Sequence, residues 1–126
     1  MPKWVHADVL DGGLNAIKTG ASKMLLISAY AAGDSYATVT SNKLAEVAMV
    51  SGDYTLSSSG SNRVLTTASG KSATASAGAA APDLHIAFTD GASKVLWVTD
   101  ETSDQAITSG NTINFPALTY TSNQPT

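Results

Sequence analysis

The 126-residue chain contains no cysteine. Disulfides, thiolate metal sites and cysteine nucleophiles are therefore excluded. Charge is scarce as well. Asp, Glu, Lys and Arg make up 13% of the residues, about half the share of an ordinary globular domain. The seven Lys and Arg are scattered against ten Asp and Glu, with no basic run, so the electrostatic footprint of a nucleic-acid binder is missing. No apolar run approaches the roughly 20 residues of a membrane-spanning helix. The N-terminus lacks the basic-then-apolar pattern of a signal peptide, so a soluble product made in a cytoplasm is expected. Ser, Thr, Ala and Gly take up the share that charge leaves. A surface poor in Lys and Glu loses little side-chain entropy or hydration when a partner covers it. That points to assembly, although Ser/Thr-rich all-β domains share the composition without any partner.

What the chain does have is a strong apolar centre. In the run Leu84 to Thr99, Leu84, Ile86 and Phe88 fall on one face at period two. His85, Ala87 and Thr89 fall on the other, which reads as outward. Asp90-Gly91 supplies a turn. The return arm Val95 to Val98 is apolar at every position and predicts cover on both faces. This hairpin is the expected middle of the core.

The flanking segments read as strands laid around it. Residues 1–7 form an extended arm carrying Trp4 and Val5. Asp8 to Thr19 is the best helix candidate, with Asp8 as N-cap, Asp11 near a capping box and Gly20 as stop. Leu10, Leu14 and Ile17 form its apolar stripe. Gly12 and Gly13 weaken this helix by about 1 kcal/mol each relative to Ala, and two glycines also permit close approach of another chain. Met24 to Ala29 is a buried strand. Tyr30 to Thr40 reads as a surface loop, and Ser41 to Val50 as a helical turn running into a strand. Tyr54 to Leu56 is a short strand, and Ser57 to Asn62 a loop. Arg63 to Ala68 and Lys71 to Ala77 are expected to pair across Ser69-Gly70. Gly78 to Asp83 is an Ala-rich linker, and Asp100 to Asp104 an acidic turn. Ala106 to Thr108 and Thr112 to Phe115 are expected to pair across Ser109-Gly110-Asn111. Pro116 breaks that ladder, and Leu118 to Thr121 is a further strand. The reading is mainly β: a single-domain β-sandwich or barrel, jelly-roll-like, with about eight short strands and one short N-terminal helix. The domain spans 8–121, and 122–126 is a loose tail.

Reactive groups are few. The two histidines are His6, beside Asp8, and His85. Neither is tied to a nucleophile by a known motif, and a lone strand histidine is usually solvated. Asp100, Glu101 and Asp104 offer hard oxygen ligands, but the spacing and glycine of a calcium loop are absent, so a solvated turn explains them better. Gly70-Lys71-Ser72 matches the end of a phosphate loop, yet Leu65 stands where its first glycine belongs. No enzyme, no cofactor and no metal site is expected. Among the aromatic residues Trp97 reads as core. Trp4, Tyr30 and Tyr36, in an arm and a loop, are the better contact candidates, and Tyr30 and Tyr36 would also serve a carbohydrate-binding module.

The stretch Lys3-Trp4-Val5-His6-Ala7-Asp8-Val9-Leu10-Asp11-Gly12-Gly13-Leu14 resembles the N-terminus of a group of small tailed-bacteriophage virion proteins. Ala106-Ile107-Thr108-Ser109-Gly110-Asn111-Thr112-Ile113-Asn114-Phe115-Pro116-Ala117 is similar to their C-terminal strand pair. The resemblance implies a structural role without catalytic residues, of the kind filled by head-decoration or capsid-cement proteins. It implies the major capsid protein and further copies of the chain, as dimer or trimer, as partners, and the capsid surface as location. Trp4, Val5 and Leu10 would then belong to an arm and helix contacting the shell or a sister subunit. A tail or neck component of the same virion is the alternative placement.

Overall fold

The computed structural model describes residues 3–100 and 104–125. Met1, Pro2, Glu101 and Thr126, on which parts of the expected arm, acidic turn and tail fall, lie outside the described residues. The elements run α1 (Ala7–Gly20), β1 (Lys23–Ile27), α2 (Tyr36–Ser41), β2 (Lys43–Ala48), β3 (Tyr54–Ser59), β4 (Asn62–Thr67), β5 (Lys71–Thr74), β6 (His85–Thr89), β7 (Val95–Asp100), β8 (Thr112–Phe115) and β9 (Thr119–Ser122), with a 3-10 turn at Ser51–Asp53. The chain is mainly β, with nine strands in antiparallel sheets forming a small sandwich and a helix at the N-terminus.

The larger sheet has the order β2-β1-β6-β7. The expected central hairpin is there: Phe88 pairs with Trp97 and Ile86 with Thr99. Its turn is a longer loop than Asp90-Gly91 alone. One Asp90 carboxylate oxygen, Oδ1, accepts the backbone N–H groups of Ala92, Ser93 and Lys94. Those three donors hold the Asp90 carboxyl down at about 2. Gly91 takes φ +78°, a conformation that disfavours any side chain.

The two central strands, β1 and β6, are buried on both sides, whereas β7, for which cover on both faces is expected from its sequence, is an edge strand that is half-buried from Val95 to Thr99. Met24, Leu26, Ile86 and Phe88 enter the main core with Leu14, Ile17, Tyr54 and Leu65. The face read as outward carries Leu25, Ile27 and Ala87, roofed by Val39 of α2, with Tyr30, Val95 and Val98 packed alongside. The loop expected at Tyr30 to Thr40 is thus partly helical, and α2 supplies the second cover. Ser35 caps it by accepting the Thr38 N–H.

The second sheet, β3-β4-β9, sits opposite. β3 and β4 join through the turn after Ser59, so of the loop expected at Ser57 to Asn62 only Gly60 and Ser61 lie outside the two strands. β4 pairs with β3 and β9 rather than with β5, and β5 pairs with β8 in a third, two-stranded sheet. The hairpins expected around Ser69-Gly70 and Ser109-Gly110 are therefore absent: β4 forms a local hairpin with β3 instead and a non-local pair with β9, and β5 and β8 pair non-locally with each other. Ile107 instead bridges to Ala79. The physical reason is that each of these strands has only four to six residues, so local turn chemistry is outweighed by which faces can reach the core. Across the sandwich, Tyr54, Phe88, Trp97 and Tyr120 form a chain of ring contacts, with Phe88 and Trp97 stacked at 4.6 Å. The Tyr54 hydroxyl, fully buried, donates to the Ala21 carbonyl at 2.8 Å. Burial raises its pKa far above that of a free tyrosine.

α1 lies on the second sheet through the expected stripe Leu10, Leu14 and Ile17. Its N-cap is His6, not Asp8: the helix starts one residue early, and His6 Nδ1 accepts the Asp8 N–H at 3.1 Å. Asp11 forms no capping box. Its carboxylate accepts from Arg63 Nε at 2.7 Å and ties the helix to β4. The helix ends at Gly20 as expected, but Gly20 is its last helical residue rather than a left-handed cap, and a side chain there would meet Leu96. Gly12 and Gly13 have open space where a Cβ would stand.

Candidate functional site

The N-terminal arm is built into the body by a residue near the other end of the chain. Gln124 accepts the Val5 N–H on Oε1 at 3.0 Å and donates from Nε2 to the Val5 carbonyl at 2.9 Å. The same amide nitrogen reaches the Ser61 carbonyl, and the Gln124 backbone N–H donates to Asn62 Oδ1. The tail expected to be loose is thus a clasp. It fixes Val5 against the β3–β4 turn, and His6 begins α1 one residue on. The clasp leaves Trp4 68% exposed and the outward Val9 of α1 65% exposed.

Of the expected contact residues, only Trp4 stands fully available. Leu10 is buried at 7% exposure in the helix stripe, so it supports the fold rather than a partner surface. Val5 is half-buried with both backbone groups engaged. Tyr30 is half-buried, its ring 5.8 Å from that of His85 and its hydroxyl accepting the Gly33 N–H. Tyr36 is half-buried as the first residue of α2.

His85 departs from its sequence reading. It is half-buried under Tyr30, and its side chain is 14% exposed. Its Nδ1 lies 3.1 Å from the Asp83 carbonyl oxygen, and its Nε2 lies 3.6 Å from the carboxylate of Asp100, its cross-strand partner. The Asp83 carboxylate stands 3.9 Å from Nδ1. These three residues can each offer one ligand atom within 4.8 Å of the others. The two carboxylates flank opposite ring nitrogens and are about two-thirds exposed, at 66% and 70%, so the grouping reads as a histidine braced between acids. Asp104, expected beside Asp100 in an acidic turn, is employed elsewhere: its carboxylate accepts the Leu84 N–H at 2.8 Å. Among the described residues no serine or threonine hydroxyl is hydrogen-bonded to either histidine.

Sequence reasoning missed a cavity of about 240 Å³ where the larger sheet meets β8. Its apolar lining residues are Leu26, Leu84, Ile86, Ile107, Ile113 and Phe115, and nearly half of the surface it exposes is polar. Exposed Gln105, Thr112 and Asn114 stand at its rim. Ile107, which bridges to Ala79, and Thr112 to Phe115 of β8, which pairs with β5, both contribute to its wall. The alternation of Ile113 and Phe115 was visible in the sequence, but the pairing of β8 with β5 was not.

No protein-family model matches the chain, and no curated protein and no solved structure matches it.

Proposed function

We propose that this chain is a structural protein of a tailed-bacteriophage virion, a decoration or cement protein that binds the major capsid protein lattice. The sequence resemblance at residues 3–14 and 106–117 supports the virion setting. The observation that carries the docking role is Trp4, exposed on a backbone held at both its neighbour's N–H and C=O by Gln124. A large apolar side chain on a fixed stem is an anchor already paid for in entropy. Burying a tryptophan removes about 150–250 Å² from water, at about 25 cal/mol per Å². The exposed share of Trp4 is then worth about 3–4 kcal/mol on contact. Copies bound around a shell multiply such a modest contact through effective concentration. The body behind the anchor is rigid, with aromatic rings linking its sheets.

The test is binding of purified protein to expanded shells lacking it. Wild type binds and raises the shell's heat resistance. Trp4→Ala, which truncates a side chain that is 68% exposed, binds more than tenfold more weakly. Equal binding by both proteins, or shells no more heat-resistant with the protein than without it, refutes the reading.

A further inference from the structure

We propose that His85, Asp83 and Asp100 form a site for one divalent cation of the zinc type, with His85 Nε2 as its nitrogen ligand. From the sequence no metal site is expected, because a strand histidine without neighbours is usually solvated. The fold supplies the neighbours. Asp100 is the cross-strand partner of His85 at the end of the β6–β7 ladder. Asp83 lies two residues before His85 and so reaches the same face, with its carboxylate 3.9 Å from the ring. The place of the ring hydrogen follows from the contacts. A carbonyl oxygen only accepts, so Nδ1, at 3.1 Å from the Asp83 carbonyl, is the nitrogen that donates. In the neutral ring Nε2 then carries a lone pair. It lies 3.6 Å from a carboxylate oxygen of Asp100. Two electron-rich atoms this close are stabilised by a positive charge between them. A proton on Nε2 serves poorly, because an N–H···O bond spans about 2.7–3.2 Å. A metal ion serves well. Two donors that each sit about 2.1 Å from one zinc ion, at a tetrahedral angle, stand about 3.4 Å apart.

The rest of the arrangement is what a histidine ligand needs. A backbone carbonyl that takes the Nδ1 hydrogen fixes the tautomer and leaves Nε2 for the metal. Tyr30 packs against the ring and leaves the imidazole largely buried, so the nitrogen is positioned before any ion arrives. The third donor is the Asp83 carboxylate. The three side chains bring one ligand atom each within 4.8 Å of one another. The Asp83 carboxylate stands on the Nδ1 side and is two-thirds exposed, which gives it room to turn toward Nε2. Water completes four-coordination. The donor set selects the cation. Calcium and magnesium take six or more ligands, nearly all oxygen, whereas one imidazole with two carboxylates suits zinc. An ion held there ties the segment before β6 to the end of the edge strand β7. Ligation that only the folded chain can offer raises its stability in proportion to occupancy. The site stands apart from Trp4 and the clasp, so its test leaves the capsid reading untouched.

The experiment is titration of the full chain with zinc chloride at neutral pH in a phosphate-free buffer, read by calorimetry, thermal melting and NMR of the imidazole nitrogens. Wild type takes up one zinc ion per chain with Kd below about 100 µM. Its melting temperature rises with zinc, and the His85 Nε2 resonance shifts while Nδ1 keeps its hydrogen. Asp83→Asn and Asp100→Asn, both at exposed positions, bind at least tenfold more weakly. His85→Gln no longer binds. His6→Asn removes the histidine that lies 3.6 Å from Asp8, keeps a side chain suited to the helix cap, and binds as wild type does. The proposal is overturned if wild type binds zinc more weakly than about 100 µM, if either carboxylate variant binds within tenfold of wild type, if His6→Asn loses the binding, or if the ion sits on Nδ1. Should His85→Gln fail to fold, the two carboxylate variants and the nitrogen resonances decide the outcome by themselves.

Discussion

The clasp on the arm is the contact most open to a decisive perturbation. Gln124→Ala removes three side-chain hydrogen bonds, two to Val5 and one to Ser61. A hydrogen bond contributes about 0.5–1.5 kcal/mol net, and groups that water can reach fall at the low end. The expected loss is therefore about 1–2 kcal/mol. At about 1.4 kcal/mol per factor of ten, the Val5 amide should exchange its hydrogen roughly 5- to 30-fold faster. The melting temperature should fall by about 3–10 °C. Gln124→Glu sharpens the test. A carboxylate keeps the acceptor facing the Val5 N–H but sets its second oxygen against the Val5 and Ser61 carbonyls. The folded state then disfavours ionisation, so the variant's carboxyl pKa rises on folding. Stability is near that of wild type below the ordinary Glu value of about 4.3, where the group is protonated in both states, and falls as pH rises through it. Amide exchange followed by NMR from pH 3.5 to 7 reads both variants. If the Val5 amide exchanges within twofold of wild type in Gln124→Ala, and Gln124→Glu shows no pH dependence beyond wild type's, the clasp does not hold the arm.

Three further outcomes are expected. Gly12→Ala and Gly13→Ala should each stabilise the protein by about 0.5–1 kcal/mol in urea unfolding, because both sites are helical and empty around the new methyl group; destabilisation by either would mean that those positions approach something the isolated chain does not hold. Tyr54→Phe should cost about 1–2 kcal/mol in the same assay, since it leaves the buried Ala21 carbonyl without its donor. Acid should weaken two ties: the Asp53 carboxyl is lowered by hydrogen bonding to Lys71, and that of Asp90 by its three backbone donors. Both groups are depressed on folding, so their contributions are present above the ordinary Asp pKa and are lost as pH falls below about 4 through their folded values. Carboxyl NMR titration should place the Asp90 midpoint at about 2, and a midpoint at the ordinary Asp value would remove the three-donor account of that loop.

Legibility in the sequence followed the range of the interactions. The helix stripe Leu10, Leu14 and Ile17 and the hairpin of β6 and β7 are local patterns, and both are present in the fold. The cap moved to His6 because its imidazole nitrogen accepts the backbone N–H of Asp8, two residues on, and so places Asp8 inside the first turn rather than ahead of it. The outward face of β6 was misread because α2, whose Tyr-Ala-Thr-Val-Thr-Ser sequence has weak helix propensity, is held there by Val39 against Leu25 and Ile27. Strand exchange among β4, β5, β8 and β9 was invisible, since Ser-Gly pairs stand on both sides of β4 and ahead of β5 and β8, and each of these turns signals a hairpin with the neighbouring strand. Within the candidate site, the exposure of Trp4 followed from its place in an arm. The clasp that fixes its stem depends on Gln124, 119 residues from Val5, and no local pattern announces a contact at that separation.

The position of β4 between β3 and β9 carries a consequence for synthesis. A ribosome releases Arg63 to Thr66 about fifty residues before their partners Thr119 to Ser122. Until then one rim of β4 has no ladder, and Leu65 beneath α1 has no neighbour at Tyr120. The nascent chain must therefore hold a half-built sheet while β5 to β8 emerge, and it is in that interval that misassembly and chaperone capture compete with completion.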